Sequence, residues 1–171
     1  MPRSYRSRCH RRRKEYDFYY GTCFLTTPLG VQEVPPVTTT GNGAGVLSLA
    51  HCEEAVQFSI EIRDLTSVIQ PLIGGQSAHF HLAAAGSNGP VVKSLDADWI
   101  IGGPGATFGT LCGVWSAEDT EPLTPALVAD LKAGNIYLNV HTADFVSGEV
   151  RGQVIQQVVS QSSGSSSNCS W

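Results

Sequence analysis

The sequence predicts an all-β domain: a Greek-key or immunoglobulin-like β-sandwich or barrel with one short helix near residues 124–133. Composition favours this class, because only 15% of the 171 residues are charged and 42% are hydrophobic, while eighteen glycines and nine prolines supply many turns. The alternation of apolar and polar residues favours the same class. In residues 55–64, apolar side chains from Val56 to Ile62 alternate with polar ones, which is typical of a strand with one buried face.

The other elements follow from similar signals. Thr124 is suited to be a helix N-cap and Pro125 to be the first helical residue. Leu127 and Leu131 form an apolar pair four residues apart, and Gly134 ends the predicted helix. Apolar and β-branched runs between turn residues predict further strands at residues 22–27, 43–51, 78–82, 91–92, 108–115, 136–141 and 150–158.

Charge divides the chain into a basic arm (residues 1–23), a domain (residues 24–158) and a serine-rich tail (residues 159–171). Residues 1–14 hold seven of the eleven basic residues and no acidic one, so residues 15–171 carry a net charge of −11. The arm could bind an anionic partner, dock on the acidic body of a neighbouring copy, or be a solvated tail. Its β-prone end, residues 16–25, could add a strand to a neighbour's sheet edge or pair within its own chain.

The sequence gives no sign of a membrane span, a nucleic-acid-binding module or a signal peptide. No apolar stretch approaches the roughly 20 residues that span a bilayer, so an integral membrane protein is excluded. No aromatic and basic nucleic-acid module accompanies the arm, so nucleic acid is not an expected partner. Charged residues follow the basic run where a signal peptide would be apolar, so the sequence shows no clear signal peptide.

The cysteines favour disulfides over a zinc–thiolate site, because no CxxC spacing occurs. Cys52 and Cys112 lie in or beside strand-like segments and could form a bridge within the body. An odd number suggests a link between chains, and the alternative is a set of buried free thiols in a reducing compartment. Asn168 begins a glycosylation sequon, which supports an extracellular location. The five cysteines are Cys9, Cys23, Cys52, Cys112 and Cys169.

Three histidines form the most informative pattern. His79 and His81 are two residues apart on a predicted strand, so both imidazoles project from the same face. His141 follows the same alternation on another predicted strand, with the apolar residues of both strands on the opposite face. Three imidazoles on one face predict a site for copper or zinc. The alternative is three surface or hydrogen-bonded histidines.

Several ordered motifs resemble the CHRD domain, the module named after chordin, over roughly residues 24–157. These motifs are residues 32–37, residues 41–47, the His79-Phe80-His81 strand, residues 89–92, residues 131–142 and residues 148–153.

The resemblance implies an extracellular β-sandwich similar in fold to copper/zinc superoxide dismutase. It also implies that His79, His81 and His141 occupy the copper-ligand positions. The second-metal ligands of a dismutase are missing, since only His10 and His51 remain, so dismutase activity is not expected. The resulting hypothesis is a secreted structural protein that assembles into oligomers or filaments through its arm. The alternative is a copper-dependent extracellular redox enzyme.

Overall fold

The computed structural model describes residues 16–18, 21–70 and 77–157. Within these residues the chain forms ten β-strands, one 3₁₀ turn (Gly30–Gln32) and one α-helix. The strands are β1 (Thr22–Thr26), β2 (Asn42–Leu49), β3 (Ala55–Arg63), β4 (Ala78–Leu82), β5 (Val91–Ser94), β6 (Trp99–Gly102), β7 (Gly109–Ser116), β8 (Ile136–Val140), β9 (Val150–Gln153) and β10 (Ile155–Gln156). The helix is α1 (Pro125–Lys132).

The strands form two antiparallel sheets, and the predicted β-sandwich class is confirmed. The large sheet has the order β10-β1-β2-β3-β7-β6, and the small sheet has the order β5-β4-β8-β9. A single residue, Val154, separates β9 from β10. The predicted last strand is therefore two strands, one in each sheet, because β9 pairs with β8 whereas β10 pairs with β1.

The core lies between the sheets and is built by the predicted alternation. From the large sheet, Phe58 and Ile60 are fully buried, and from the small sheet Phe80 and Leu138 are fully buried. Phe80 meets Phe58 edge to face at 5.5 Å between ring centroids and stacks on Trp115 at 5.9 Å. These aromatic contacts join the two sheets at the centre of the sandwich.

The helix forms where the sequence predicts it. The Thr124 side-chain oxygen accepts a hydrogen bond from the Leu127 amide at 3.2 Å, and Pro125 is the first helical residue. Leu131 packs into the core. Gly134 follows the helix with φ +76°, a conformation that glycine adopts without strain. Within the described residues, no helix is long and apolar enough to cross a membrane.

Strand β6 was not predicted. It is only four residues long and lies at an edge of the large sheet, where Ile100 and Ile101 are exposed. A glycine-rich loop follows it, and Gly102 and Gly103 both have positive φ. So short a strand, ending in glycines, carries too little alternation to be recognised in the sequence.

The predicted Cys52–Cys112 bridge is wrong. Cys52 is an exposed free thiol in the turn between β2 and β3. Cys112 pairs across the sheet with Ser59, four residues beyond Ala55 and therefore about 13 Å further along β3. A disulfide requires Cα atoms within about 7 Å. Cys23 and Cys112 each carry a disulfide bond, whereas Cys9 and Cys169 lie outside the described residues.

The end of the predicted arm belongs to the large sheet. Strand β1 pairs with β2 on one side and β10 on the other, and Phe24 is fully buried. Residues 22–25 thus pair within their own chain, which is one of the two alternatives that the sequence left open. Residues 1–15 of the arm and the tail with Asn168 lie outside the described residues.

Candidate metal site

The histidines lie on the two central strands of the small sheet. On β4, His79 pairs with Asn139 of β8 and His81 pairs with Tyr137. His141 is the first residue after β8. The apolar residues of β4 and β8 face the core, so alternation places the histidines on the opposite face, as predicted.

This outer face is covered. Residues 27–41, here called the strap, cross it, with the Leu29 amide donating to the Arg151 carbonyl at 2.9 Å. The loops at residues 83–90 and 142–149 adjoin the strap. His79 is 4% exposed and His141 is 7% exposed, while His81 is half-buried. The histidines are therefore not surface residues.

The three imidazoles converge on one point. One ring nitrogen of each histidine lies within 4.8 Å of the corresponding nitrogen of the other two. His79 Nδ1 is 3.2 Å from His141 Nε2. Two nitrogens bound tetrahedrally to one Zn²⁺ or copper ion at about 2.05 Å would be separated by about 3.3 Å. Among the described residues, this is the only such group of three.

Backbone carbonyls fix which nitrogen is free in two of the three rings, His81 and His141. His81 Nδ1 donates to the Gly89 carbonyl at 3.0 Å, and His141 Nδ1 donates to the Val146 carbonyl at 3.0 Å. A carbonyl only accepts, so both rings carry their proton on Nδ1 and leave the Nε2 lone pair for the cluster. His81 Nε2 is buried and has no hydrogen-bond partner among the described residues. This buried unpaired nitrogen fits a metal ligand.

Burial keeps two of the rings neutral. It lowers the pKa of His141 to about 4, although the Val146 carbonyl acts in the opposite direction. Burial likewise lowers the pKa of His81, against the effect of the Gly89 carbonyl, and the charge of Arg151 lowers it further. Neutral imidazole is the form that binds a metal ion.

Two carboxylates support the backbone around His141. Asp96 accepts hydrogen bonds from the amide and hydroxyl of Ser77, whose carbonyl accepts the His141 amide at 2.9 Å. Glu149 is fully buried and accepts hydrogen bonds from Thr39, Thr66 and Thr142. Burial alone would raise the pKa of each carboxyl, but these hydrogen bonds outweigh it and bring both pKa values below normal.

Glu33 contrasts with these carboxylates. It reaches from the strap to Asn139, whose Nδ2 donates to both carboxylate oxygens at 2.9 and 3.0 Å. Burial raises the pKa of Glu33 to about 7, opposed by the Asn139 hydrogen bond and the charge of Arg151. A carboxyl that titrates near neutral pH is thus held on the same face as the histidines.

Sequence reasoning missed the residues that support the histidines: Glu33, Tyr137, Glu149 and Arg151. For Tyr137 a signal existed, because alternation already placed it on the histidine face of β8. For Glu33 and Arg151 no local signal existed, since charged residues are rarely buried and only the strap makes them so.

His51, the other described histidine, lies in the exposed turn before β3, outside the cluster. Two surface cavities of about 410 and 350 Å³ lie on the large sheet, and no histidine lines them.

Fold and site together define a β-sandwich with a buried three-histidine cluster on the outer face of its small sheet. The CHRD domain family model matches residues 25–154, and the chain belongs to that family. No curated protein and no solved structure matches the chain.

Proposed function

We propose that this protein is an extracellular structural module that self-associates and holds one transition-metal ion between His79, His81 and His141. The observation that carries the metal proposal is the buried, unpaired Nε2 of His81, which points toward two further ring nitrogens. Such a nitrogen costs free energy unless it gains a partner.

Copper is the favoured ion and zinc the second. Both accept imidazole ligands, and copper binds most tightly among the divalent first-row metals. The ion would be held by Nε2 of His81 and of His141, each preset by the hydrogen bond from its Nδ1 to a backbone carbonyl. His79, whose Nδ1 lies 3.2 Å from His141 Nε2, would supply the third nitrogen. When bound, copper would supply one-electron chemistry, whereas zinc has no redox chemistry and would supply a crosslink between β4 and the end of β8, or a Lewis acid.

Burial favours a structural ion over a catalytic one. His79 and His141 are almost fully buried, whereas a catalytic centre needs a path for its substrate. Among the described residues, no second group of three metal-binding side chains accompanies the cluster. A copper-dependent redox enzyme is the second candidate, because three nitrogen ligands leave coordination positions that a small molecule could take.

Charge supports self-association. The described chain starts beside the turn between β2 and β3, where the His51 amide donates to the Asp17 carbonyl at 3.0 Å. Glu53 and Glu54 are exposed in this turn, and Glu118 lies in the adjoining loop. The basic residues 1–14 precede this end in the sequence. Lys132 already pairs with Glu53 there, but Glu54 and Glu118 add further negative charge that the arm of another copy can meet.

Disulfide bonding at Cys23 and Cys112 supports an oxidising, extracellular environment. The sequon at Asn168 agrees with such a location.

Metal content of the purified full-length protein tests the site. We expect about one equivalent of copper or zinc, measured by elemental analysis and by titration of metal-free protein. Replacing His79, His81 or His141 by alanine should weaken binding while the β-sheet circular dichroism is retained. His51→Ala is the matched control and should bind like the wild type. Failure of the wild type to take up metal would overturn the metal site.

Light scattering tests the self-association. The variant replaces all seven basic residues of the arm by glutamine, which keeps Cys9 and leaves β1 intact. We expect it to be less associated than the wild type, since the opposite charges are lost. Arg63→Gln, whose exposed partner is Glu61 rather than a residue of the acidic turn between β2 and β3, controls for charge loss from the body. Equal assembly states of the arm variant and the wild type would refute the role of the arm.

Superoxide turnover by the copper-loaded protein separates the two candidates. We expect little activity, because the cluster is buried and lacks a second metal group among the described residues. Turnover close to that of a true dismutase would replace the structural proposal by the enzymatic one.

A further inference from the structure

The side chain of Tyr137 is packed against one of the candidate ligands. Its ring stacks on the His81 ring with 4.9 Å between centroids and 13° between planes. Tyr137 is only 2% exposed, so the stack is enclosed by protein. Among the three histidines the ring contacts are edge-on or tilted, so this parallel contact is distinct.

Tyr137 also holds the acceptor that sets the proton of His81. The Gly89 amide donates to the Tyr137 hydroxyl at 3.3 Å, and the Gly89 carbonyl accepts from His81 Nδ1 at 3.0 Å. Gly89 packs so closely that an added Cβ would lie 1.8 Å from the Leu82 carbonyl oxygen, which leaves no room for another residue. One tyrosine thus restrains both the plane of His81 and the group that selects its tautomer.

Arg151 holds Tyr137 from the other side of β8. Strand β8 lies between β4 and β9, so His81 and Arg151 approach Tyr137 from opposite neighbours. The Arg151 guanidinium carbon lies 3.5 Å from the centre of the Tyr137 ring, a cation–π contact that gains strength when it is desolvated. Arg151 is 1% exposed.

The hydrogen bonds of Arg151 lead back to the same loop. Its guanidinium donates to the Ala84 carbonyl at 3.3 Å and to Asn88 Oδ1 at 3.4 Å, both in the loop that carries Gly89. Its third acceptor is Gln153 Oε1. Among the described residues, no carboxylate lies within ion-pair distance of Arg151, although its charge acts on Glu33 at longer range. The aromatic ring is its direct contact.

We propose that Tyr137, held by Arg151, is the positioning residue that fixes His81 with its Nε2 directed into the metal site. This inference rests on the proposed metal site. It goes further in assigning to residues outside the cluster the orientation and the proton state of one ligand. Residues that orient metal-binding histidines typically change metal affinity by about 10- to 100-fold when replaced.

Two variants of the full chain test the role of Tyr137. Tyr137→Leu removes the stack and the hydroxyl, and should weaken binding of Cu²⁺ or Zn²⁺ by about 10- to 100-fold. Tyr137→Phe keeps the stack and loses only the hydroxyl, so we expect a smaller loss, about two- to tenfold. Phe108→Leu removes an exposed aromatic ring from the large sheet and is the matched control.

A second readout needs no metal. Nitrogen NMR of the histidine rings in metal-free protein should show His81 protonated on Nδ1 in the wild type and a mixture of both tautomers in Tyr137→Phe. If Tyr137→Leu does not fold, Tyr137→Phe still decides the question through affinity and tautomer.

The outcomes separate the inference from the site itself. A wild type that binds no metal overturns the proposed site and the inference with it. If the wild type binds metal, the variants decide. Wild-type affinity together with an unchanged His81 tautomer, in Tyr137→Phe and in any folded Tyr137→Leu, overturns the inference alone. Graded loss of affinity, larger for leucine than for phenylalanine, supports it.

Discussion

The two faces of the small sheet are both buried, but different forces stabilise them. On the inner face, Phe80 and Leu138 are fully buried among apolar side chains, and their contribution scales with the area removed from water. On the outer face, His79, Tyr137 and Asn139 are at most 4% exposed, and each depends on a specific polar or stacking partner. The stability of the polar face therefore depends on whether each buried polar group keeps its partner, whereas the stability of the apolar face depends on how much side-chain volume is buried.

The largest effect is expected on the inner face. Phe80→Ala should lower the free energy of unfolding by about 3–5 kcal/mol, because a cavity replaces the ring between Phe58 and Trp115. Urea denaturation measures it. Phe108→Ala, at an exposed position, is the control and should cost far less. A loss below about 1 kcal/mol for Phe80→Ala would contradict the role of the inner face as the core.

On the outer-face side, Glu149→Gln should lower the free energy of unfolding by about 1–3 kcal/mol at pH 7, because an amide cannot satisfy the buried donors around it. The folded state lowers the pKa of Glu149, so its stabilisation is present above the normal pKa of about 4.5 and is lost as the pH falls. The difference between variant and wild type should therefore shrink in acid. Denaturation at pH 7 and pH 3.5 checks this, and a constant difference would count against it.

For Glu33 the stability depends on pH in the opposite direction. The folded state raises its pKa from 4.5 to about 7, so wild-type stability should fall as the pH rises from about 5 to about 7. Glu33→Gln removes this dependence and should raise the Tm at pH 8 by about 2–4 °C relative to the wild type. Thermal melts at pH 5 and pH 8 measure it. Equal changes at both pH values would show that Glu33 does not titrate in this range.

The smallest effect is expected where a polar pair is exposed. Glu61 and Arg63 pair on the outer face of the large sheet, at 50% and 60% side-chain exposure. Water and salt screen such a pair, so Glu61→Gln should leave the Tm unchanged within experimental error. A clear fall in Tm would mean that the outer faces of the two sheets are more alike than their exposure indicates.

Local pattern was sufficient for the helix and for every strand except β6, and for placing each of the three histidines on the face opposite the apolar residues of its strand. Alternation on β3 predicts its buried face, and the same period places His79 and His81 on the face opposite Phe80. Thr124 and Pro125 predict the start of α1. In each case the information lies within a few residues along the chain, which is the range that period and capping rules cover.

What the sequence could not reveal depends on contacts between distant segments. Asn139 meets Glu33 from a segment 106 positions earlier in the chain, and Glu149 meets Thr39 across 110 positions. The wrong Cys52–Cys112 pairing failed for the same reason, because it required the distance along β3 rather than the spacing in sequence.

The one-residue break at Val154 has a consequence for how the protein is made. Synthesis proceeds from the N-terminus, so β9 and β10 leave the ribosome after every other described strand. Until then, each sheet is missing one of its two edge strands, and Tyr137 has no contact with Arg151. Both sheets are completed by the same short stretch of chain, so neither sheet has all its strands before residues 150–156 have been made.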